Sequence, residues 1–416
     1  MKPLISLLIT CLVLPLAAWA VELPMTATAD QAAAVEGNNA FAVELYSQLR
    51  NQSGNLFFSP ESISTALAMA YAGAGGDTAS EMADTLHFTL PPDRLHPAMG
   101  ELLSNLNAEH DGYQLRVADA LWAEKDYTFL DAFLKLTNSD YGAGFNQVDF
   151  KGAHESARLT INQWVEQKTE NKIRDLIPPG ALDPTTRLVL TNAIYFKGDW
   201  QTQFDKASTR DEDFHLSPEQ TIKAPLMHRT GSFNYLNGGT FQALEIPYKS
   251  VELSMIVFLP NDVGGLPALE RSLTAYNMRQ WLGRLRPVSN VILTLPKFKM
   301  TRQFGLENTL KAMGMKEAFD WKMADFSGMA SRKTMLHDGN LYISAVFHKA
   351  YIDVDEEGTE AAAATAVIMH HGPTGAPVRH PLPPIIFRAD HPFMFLIRDN
   401  RSGSILFIGR VANPSK

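Results

Sequence analysis

The sequence predicts an α+β fold, with helices mostly in its first half and short antiparallel or mixed strands mostly in its second. Apolar residues recur at four-residue spacing early in the chain, as at Phe41, Leu45 and Leu49. After residue 200 short alternating segments punctuated by Gly, Pro and Asn take over. Strand and helix never alternate in the βαβ manner, and no repeat of the kind that builds solenoids is visible.

The elements follow in order. A helix is expected from Asn38. Asn55-Leu-Phe-Phe-Ser59-Pro60 reads as a short strand stopped by its proline, with Ser59 placed to cap a small-residue helix over Glu61–Ala74. Thr78 and Glu81 have capping-box spacing at the start of another helix. Leu115–Trp122 and Thr186–Phe196 read as buried strands, and Glu155–Gln167 as a helix. Further strands are expected at Phe241–Tyr248, Glu252–Leu259, Ser289–Phe298, Tyr342–Val354, Ile385–Arg398 and Ser404–Val411. Helical patterns near 266–284 and 304–314 interrupt them.

The 416 residues, 45% hydrophobic and 20% charged, give an ordinary globular composition and exclude collagen, coiled coil and disorder. That length suggests two or three domains, but no low-complexity linker divides the middle, which favours one large body from residue 37 to 416. A net charge of −8 without a Lys/Arg cluster argues against nucleic acid and anionic membranes as partners.

Residues 1–20 read as a secretory signal peptide: Lys2, an apolar run from Leu4 to Leu16, then Ala18-Trp19-Ala20. The single cysteine, Cys11, lies inside it. The mature chain is expected to be exported, to a periplasm or the exterior, with residues 21–36 as a loose leader. Export without paired cysteines suits a bacterium.

Enzyme signatures are absent: no G-x-S-x-G, no H-E-x-x-H, no phosphate-binding glycine loop. His370, His371 and His380 lie close together, but on a Pro/Gly-rich stretch with no carboxylate, so no metal site is assigned.

One segment resists a bland reading. Glu360–Thr365 is helical by propensity, yet it directly follows a strong strand through Glu356-Glu357-Gly358. Read with period two, Thr359, Ala361, Ala363 and Thr365 share one face, all of them small. Such a segment can slide between existing strands, with Gly358 as its hinge. An exposed helix or linker is the alternative.

The residues also carry a family resemblance. The chain resembles a serpin over essentially its whole mature length, in seven ordered motifs: 55–64, 72–79, 191–200, 324–329, 343–350, 356–365 and 387–393. The resemblance implies about nine helices, three β-sheets and an exposed reactive-centre loop, here 355–384. It implies an exported bacterial inhibitor, not an enzyme, that acts as a monomer and needs no cofactor. The partner would be a serine or cysteine protease, which cleaves the loop and is caught as an acyl-enzyme when the loop inserts into the main sheet. Insertion of about 14 residues at ~3.3 Å each carries the bond about 45 Å.

By the same resemblance the hinge is Glu356, Glu357, Gly358, Thr359, Glu360, Ala361, Ala362, Ala363, Ala364 and Thr365. Gly358, the hydroxyl residue Thr359 and the alanines through Ala364 follow the pattern of the inhibitory members. Trp200, Lys297 and Glu356 match the region where the loop enters the sheet, and Ser59, Ser62, Asn192 and His348 the polar cluster that must open. Family spacing counted from the hinge puts the cleaved bond at Gly372–Pro373, whereas counting back from Pro392 puts it near Pro381. The favoured window is Ile368, Met369, His370, His371, Gly372 and Pro373, with Arg379 as second choice. The rival reading is a non-inhibitory serpin-fold binding or chaperone-like protein.

Overall fold

Helix α1 (Ala29–Leu49) opens on a capping box in which Gln31 and Thr28 satisfy each other's backbone N–H groups. The structure is a computed structural model that describes residues 28–142, 144–331, 340–359 and 383–416. The helix therefore starts before Asn38 and takes in residues 29–36 of the expected leader. Its alanines and satisfied cap favour that extension, and Phe41, Leu45 and Leu49 are buried along it.

Strand β1 (Leu56–Phe58) leads into α2 (Pro60–Tyr71), capped by Ser59 as expected but ending short of Ala74. The capping box expected for α3 (Gly76–Leu86) does not form, and Gly75 caps the helix without a side-chain bond. Thr78 instead accepts from the Asp325 backbone, and Glu81 from the Lys316 and Glu317 backbones. These two side chains tie the helix to a distant segment. The other helices are α4 (Pro92–Asn107), α5 (Asp131–Tyr141), α6 (Phe150–Lys168), α7 (Leu266–Ser272), α8 (Ala275–Gly283) and α9 (Glu307–Met313), nine among the described residues.

The main sheet contains β2 (Tyr113–Glu124), β3 (Phe145–Val148), β4 (Leu188–Asp199), β10 (Phe298–Gly305), β11 (Ile343–Val354) and the two-residue β12 (Gly358–Thr359). Its spatial order is β10-β11-β12-β4-β2-β3. The remaining strands are β5 (Arg210–Ser217), β6 (Gln220–Asn237), β7 (Phe241–Pro247), β8 (Leu253–Pro260), β9 (Arg286–Pro296), β13 (Ile385–Arg388), β14 (Phe393–Asp399) and β15 (Ile405–Val411). With β1 they form one nine-stranded array rather than two separate sheets. The long strand β6 explains this: it pairs with β9 from Leu226 to Tyr235, across a register shift between Gly231 and Phe233, and on its other edge with β7 through Asn234–Asn237. The expected strand Ile385–Arg398 is two strands, parted at Asp390-His391-Pro392, where Pro392 has no N–H to donate to a ladder.

Period two decides what each main-sheet strand shows to its two sides. On β4, Val189, Ala193 and Tyr195 join an apolar cluster with Ile161 and Val165 of α6. Leu188, Leu190, Ile194 and Phe196 point the other way, into the apolar clusters shared with the helices and the nine-stranded array. Asn192 and His348 lie on that inner side, above α2. No described helix is long and apolar enough to cross a membrane.

Candidate functional site: the hinge and the seam of the main sheet

Strands β4 and β11 run parallel and pair directly, from Leu188 opposite Ile343 to Tyr195 opposite Tyr351. Above that seam they diverge, and β12 fills the gap antiparallel to both. Thr359 stands opposite Val354 on one side and Gly198 on the other, and Gly358 opposite Asp199. The main sheet is therefore shut along most of its length, with the hinge residues Gly358 and Thr359 seated at its top.

The turn that delivers β12 is built from Asp355. Its carboxylate accepts from the Glu357 and Gly358 backbones at 2.9 and 3.2 Å, and its own N–H bonds the Gly358 carbonyl at 2.8 Å. Gly358 is needed for closeness: a Cβ there would lie 2.0 Å from the Gly198 carbonyl oxygen. The reason for glycine is thus tight strand pairing, where the sequence suggested hinge freedom.

Trp200, Lys297 and Glu356 converge here. The Trp200 indole donates to the Asp355 carbonyl at 2.9 Å, its backbone N–H donates to the Glu357 carbonyl, and its ring stacks on Tyr248 with centroids 4.7 Å apart. Lys297 Nζ lies 2.8 Å from Glu356 Oε2, and the Thr209 hydroxyl donates to Oε1 at 2.7 Å. Burial works against the Glu356 charge, but the bonds from Lys297 and Thr209 outweigh it and hold the carboxyl below its ordinary value. Lys206 pairs with Glu357. Thr359 is fully buried, and its hydroxyl shares a 2.9 Å hydrogen bond with the Tyr248 hydroxyl.

Ser59, Ser62, Asn192 and His348 also come together, under the middle of the seam. Asn192 and His348 are direct partners across it, and the His348 Nδ1 meets the Asn192 side-chain carbonyl. The Ser59 backbone N–H donates to His348 Nε2 at 3.2 Å, and Ser59 Oγ accepts from the Ser62 backbone. Burial pushes the His348 ring down to about 3, so it is neutral. A fifth member was missed by sequence reasoning. Asp119 of β2 accepts from Ser62 Oγ at 2.8 Å and from the Asn192 amide. A carboxylate inside the apolar run Leu115–Trp122 was the available signal. Tyr248 and Thr209 carried no such mark, because only the fold brings them to the hinge.

Residues Glu360 to Thr365 of the hinge, and Ile368, Met369, His370, His371, Gly372, Pro373 and Arg379 of the cleavage windows, lie outside the described residues. Among the described residues no cluster of three or more His, Cys, Asp or Glu could hold a metal ion. A closed sheet with a small-residue segment seated at its open end can admit a further strand if the seam parts.

Comparison with known proteins gives the same architecture. The family model described as serpin (serine protease inhibitor) matches residues 36–414. The leukocyte elastase inhibitor of Homo sapiens is 39% identical over 389 residues, covering 91% of this chain and 98% of its own. An uncharacterized serpin-like protein of Thermococcus kodakarensis is 41% identical over 381 residues, covering 91% and 85%. Among solved structures, human thyroxine-binding globulin in its ligand complex matches with TM-score 0.81 at 30% identity, covering 93% of this chain and 100% of that one. Uncleaved ovalbumin matches with TM-score 0.80 at 27% identity, covering 92% and 100%. A match of the family model from residue 36 to 414, on a shut main sheet with a seated hinge, means that the chain belongs to the serpin family.

Proposed function

We propose that this chain is an irreversible suicide-substrate inhibitor of serine or cysteine endopeptidases. The observation that carries the reading is the placement of Gly358 and Thr359 as a strand between β11 and β4, above a closed seam. Thr359 already faces inward. A strand continuing from it would turn Ala361, Ala363 and Thr365 to the same side and lay small groups over the polar cluster. Glu360 would face out.

The chemistry is the protease's own. Its nucleophile attacks a loop carbonyl, the peptide bond breaks and an acyl-enzyme forms. The released amine stays on the segment that runs into β13. Insertion of the acylated arm then carries the enzyme along the sheet before water reaches the ester or thioester. Ile368, Met369 and His371 would suit elastase-, chymotrypsin- or subtilisin-like enzymes, and relatives named leukocyte elastase inhibitors support that choice. Arg379 would suit a trypsin-like enzyme. Residues 1–20, read as a signal peptide, would place the encounter in the periplasm or outside the cell.

The test is a panel of serine and cysteine proteases mixed with the purified protein. A complex of summed mass that survives SDS with at least one of them is expected. Clean turnover by all of them would refute inhibition. The rival reading as a binding protein draws support from the likeness to a thyroxine-binding globulin. It predicts loop cleavage without insertion.

A further inference from the structure

The polar cluster under the seam has a direction, and it ends on a carboxylic acid. The Ser59 N–H occupies His348 Nε2, so the neutral ring carries its hydrogen on Nδ1. That hydrogen meets Asn192 Oδ1, which turns the Asn192 amide nitrogen away from His348, toward Asp119 and Ser62. Ser62 Oγ also donates to Asp119. Five residues on α2, its cap, β11, β4 and β2 are thereby aligned, with Asp119 as the terminal acceptor. The one step that crosses from β11 to β4 is the His348–Asn192 bond.

We propose that Asp119 is a positioning residue for loop insertion, whose carboxyl orients the Asn192 amide for its bond across the seam and whose ionisation eases the parting of β4 from β11. This rests on the insertion reading above. The groups facing Asp119 fix the sign. From α2 come the Ser62 hydroxyl and the carboxyl of Glu61; from β4 comes an uncharged amide; from β11, through that amide, a neutral imidazole. Burial raises the Asp119 carboxyl well above the ordinary range, Glu61 adds to this, and the bonds from Ser62 and Asn192 offset only part. Once ionised, the closed sheet holds a carboxylate poorly compensated for its lost hydration. Parting the seam breaks the His348–Asn192 bond and admits water, so the open form accepts the charge more readily. Opening is therefore faster as pH rises.

The experiment measures uptake of a synthetic peptide copying residues 359–372 by the full-length protein with its loop intact, from pH 5 to 9. In the natural sequence the uptake rate should rise about tenfold through one ionisation, the change expected for a one-unit difference in proton affinity between closed and open forms. Asp119→Asn should remove that step. Glu61→Gln should keep it but move it to lower pH, since a like charge is gone. Ser62→Ala should move it to higher pH, because a donor that favours the carboxylate is lost. An unchanged step in Asp119→Asn, or shifts of the wrong sign in the other two variants, would overturn the assignment. If Asp119→Asn fails to fold, the opposite shifts of the other two decide the matter. Uptake with this profile in a protein that captures no protease would refute the inhibitor reading and leave the role of Asp119 standing. No uptake at any pH would overturn both.

Discussion

Thr359 must be small and must tolerate burial, and its hydroxyl meets Tyr248 where a bulkier group would displace β12. Thr359→Arg should displace β12 and turn the proposed inhibitor into a substrate, because a guanidinium would have to take the buried place of Thr359 at the head of the inserting strand, at a cost of several kcal/mol, about 2–7 for an unpaired polar group. The stoichiometry of inhibition checks this, and an unchanged value would count against insertion. His348 sets a second prediction. Its ordinary value of 6.5 falls to about 3 in the folded chain. The unfolded chain therefore takes up a proton that the folded chain refuses, and stability is lost as pH falls from about 6.5 toward 3. Glu61 has the opposite sign: raised from 4.5 to about 7, chiefly by burial, it removes stability as pH rises through that window. Thermal unfolding of His348→Gln should show a shallower loss below pH 6.5 than the natural sequence, with the alkaline limb unchanged.

At the scale of elements, β12 is only two residues long and cannot hold itself in place. Its anchors are the Asp355 turn, the Trp200 contacts and the ion pair of Lys297 with the buried Glu356. Lys297→Met would leave that carboxylate with Thr209 as its hydroxyl donor. Loss of about 1 kcal/mol is expected, discounted because Lys297 is half-open to solvent. The loss should be greatest at neutral pH and fade in acid, where Glu356 is protonated. Denaturant unfolding at pH 7 and in a series well below pH 4.5 measures the difference. β11 and β4 act as one unit here, since either moving without the other opens the seam.

For the whole molecule, the proposed mechanism requires a native state that is not the lowest in free energy, so its persistence is a matter of barrier height. A sheet shut directly between β4 and β11, with the hinge seated above it, is the arrangement such a state needs. Cleavage of the loop by a protease that is not captured should let insertion finish. The cleaved product is expected to melt more than about 10 °C higher than the intact protein, a shift that takes about 8 kcal/mol in a chain of this size at about 2.1 cal/mol/K of unfolding entropy per residue. Cleavage without a gain would favour the binding reading. Scanning calorimetry before and after cleavage decides between them.

The sequence by itself determined the α+β class, most strands of the second half, the Ser59 cap and the small size of Thr359, Ala361, Ala363 and Thr365. These are local properties: apolar period, capping chemistry and side-chain size act over a few residues. The tertiary structure alone decided the rest. Thr78 and Glu81, spaced as a capping box, bind a segment more than 200 residues away because packing brings its backbone N–H groups within hydrogen-bond reach. Asp119 joins a cluster whose other members lie on α2, β4 and β11 because the β2–β4 register sets it opposite Asn192. Tyr248 reaches the hinge through the pairing of Trp200 with its strand end. Such partnerships depend on register and packing between distant segments, and no pattern within either segment encodes them.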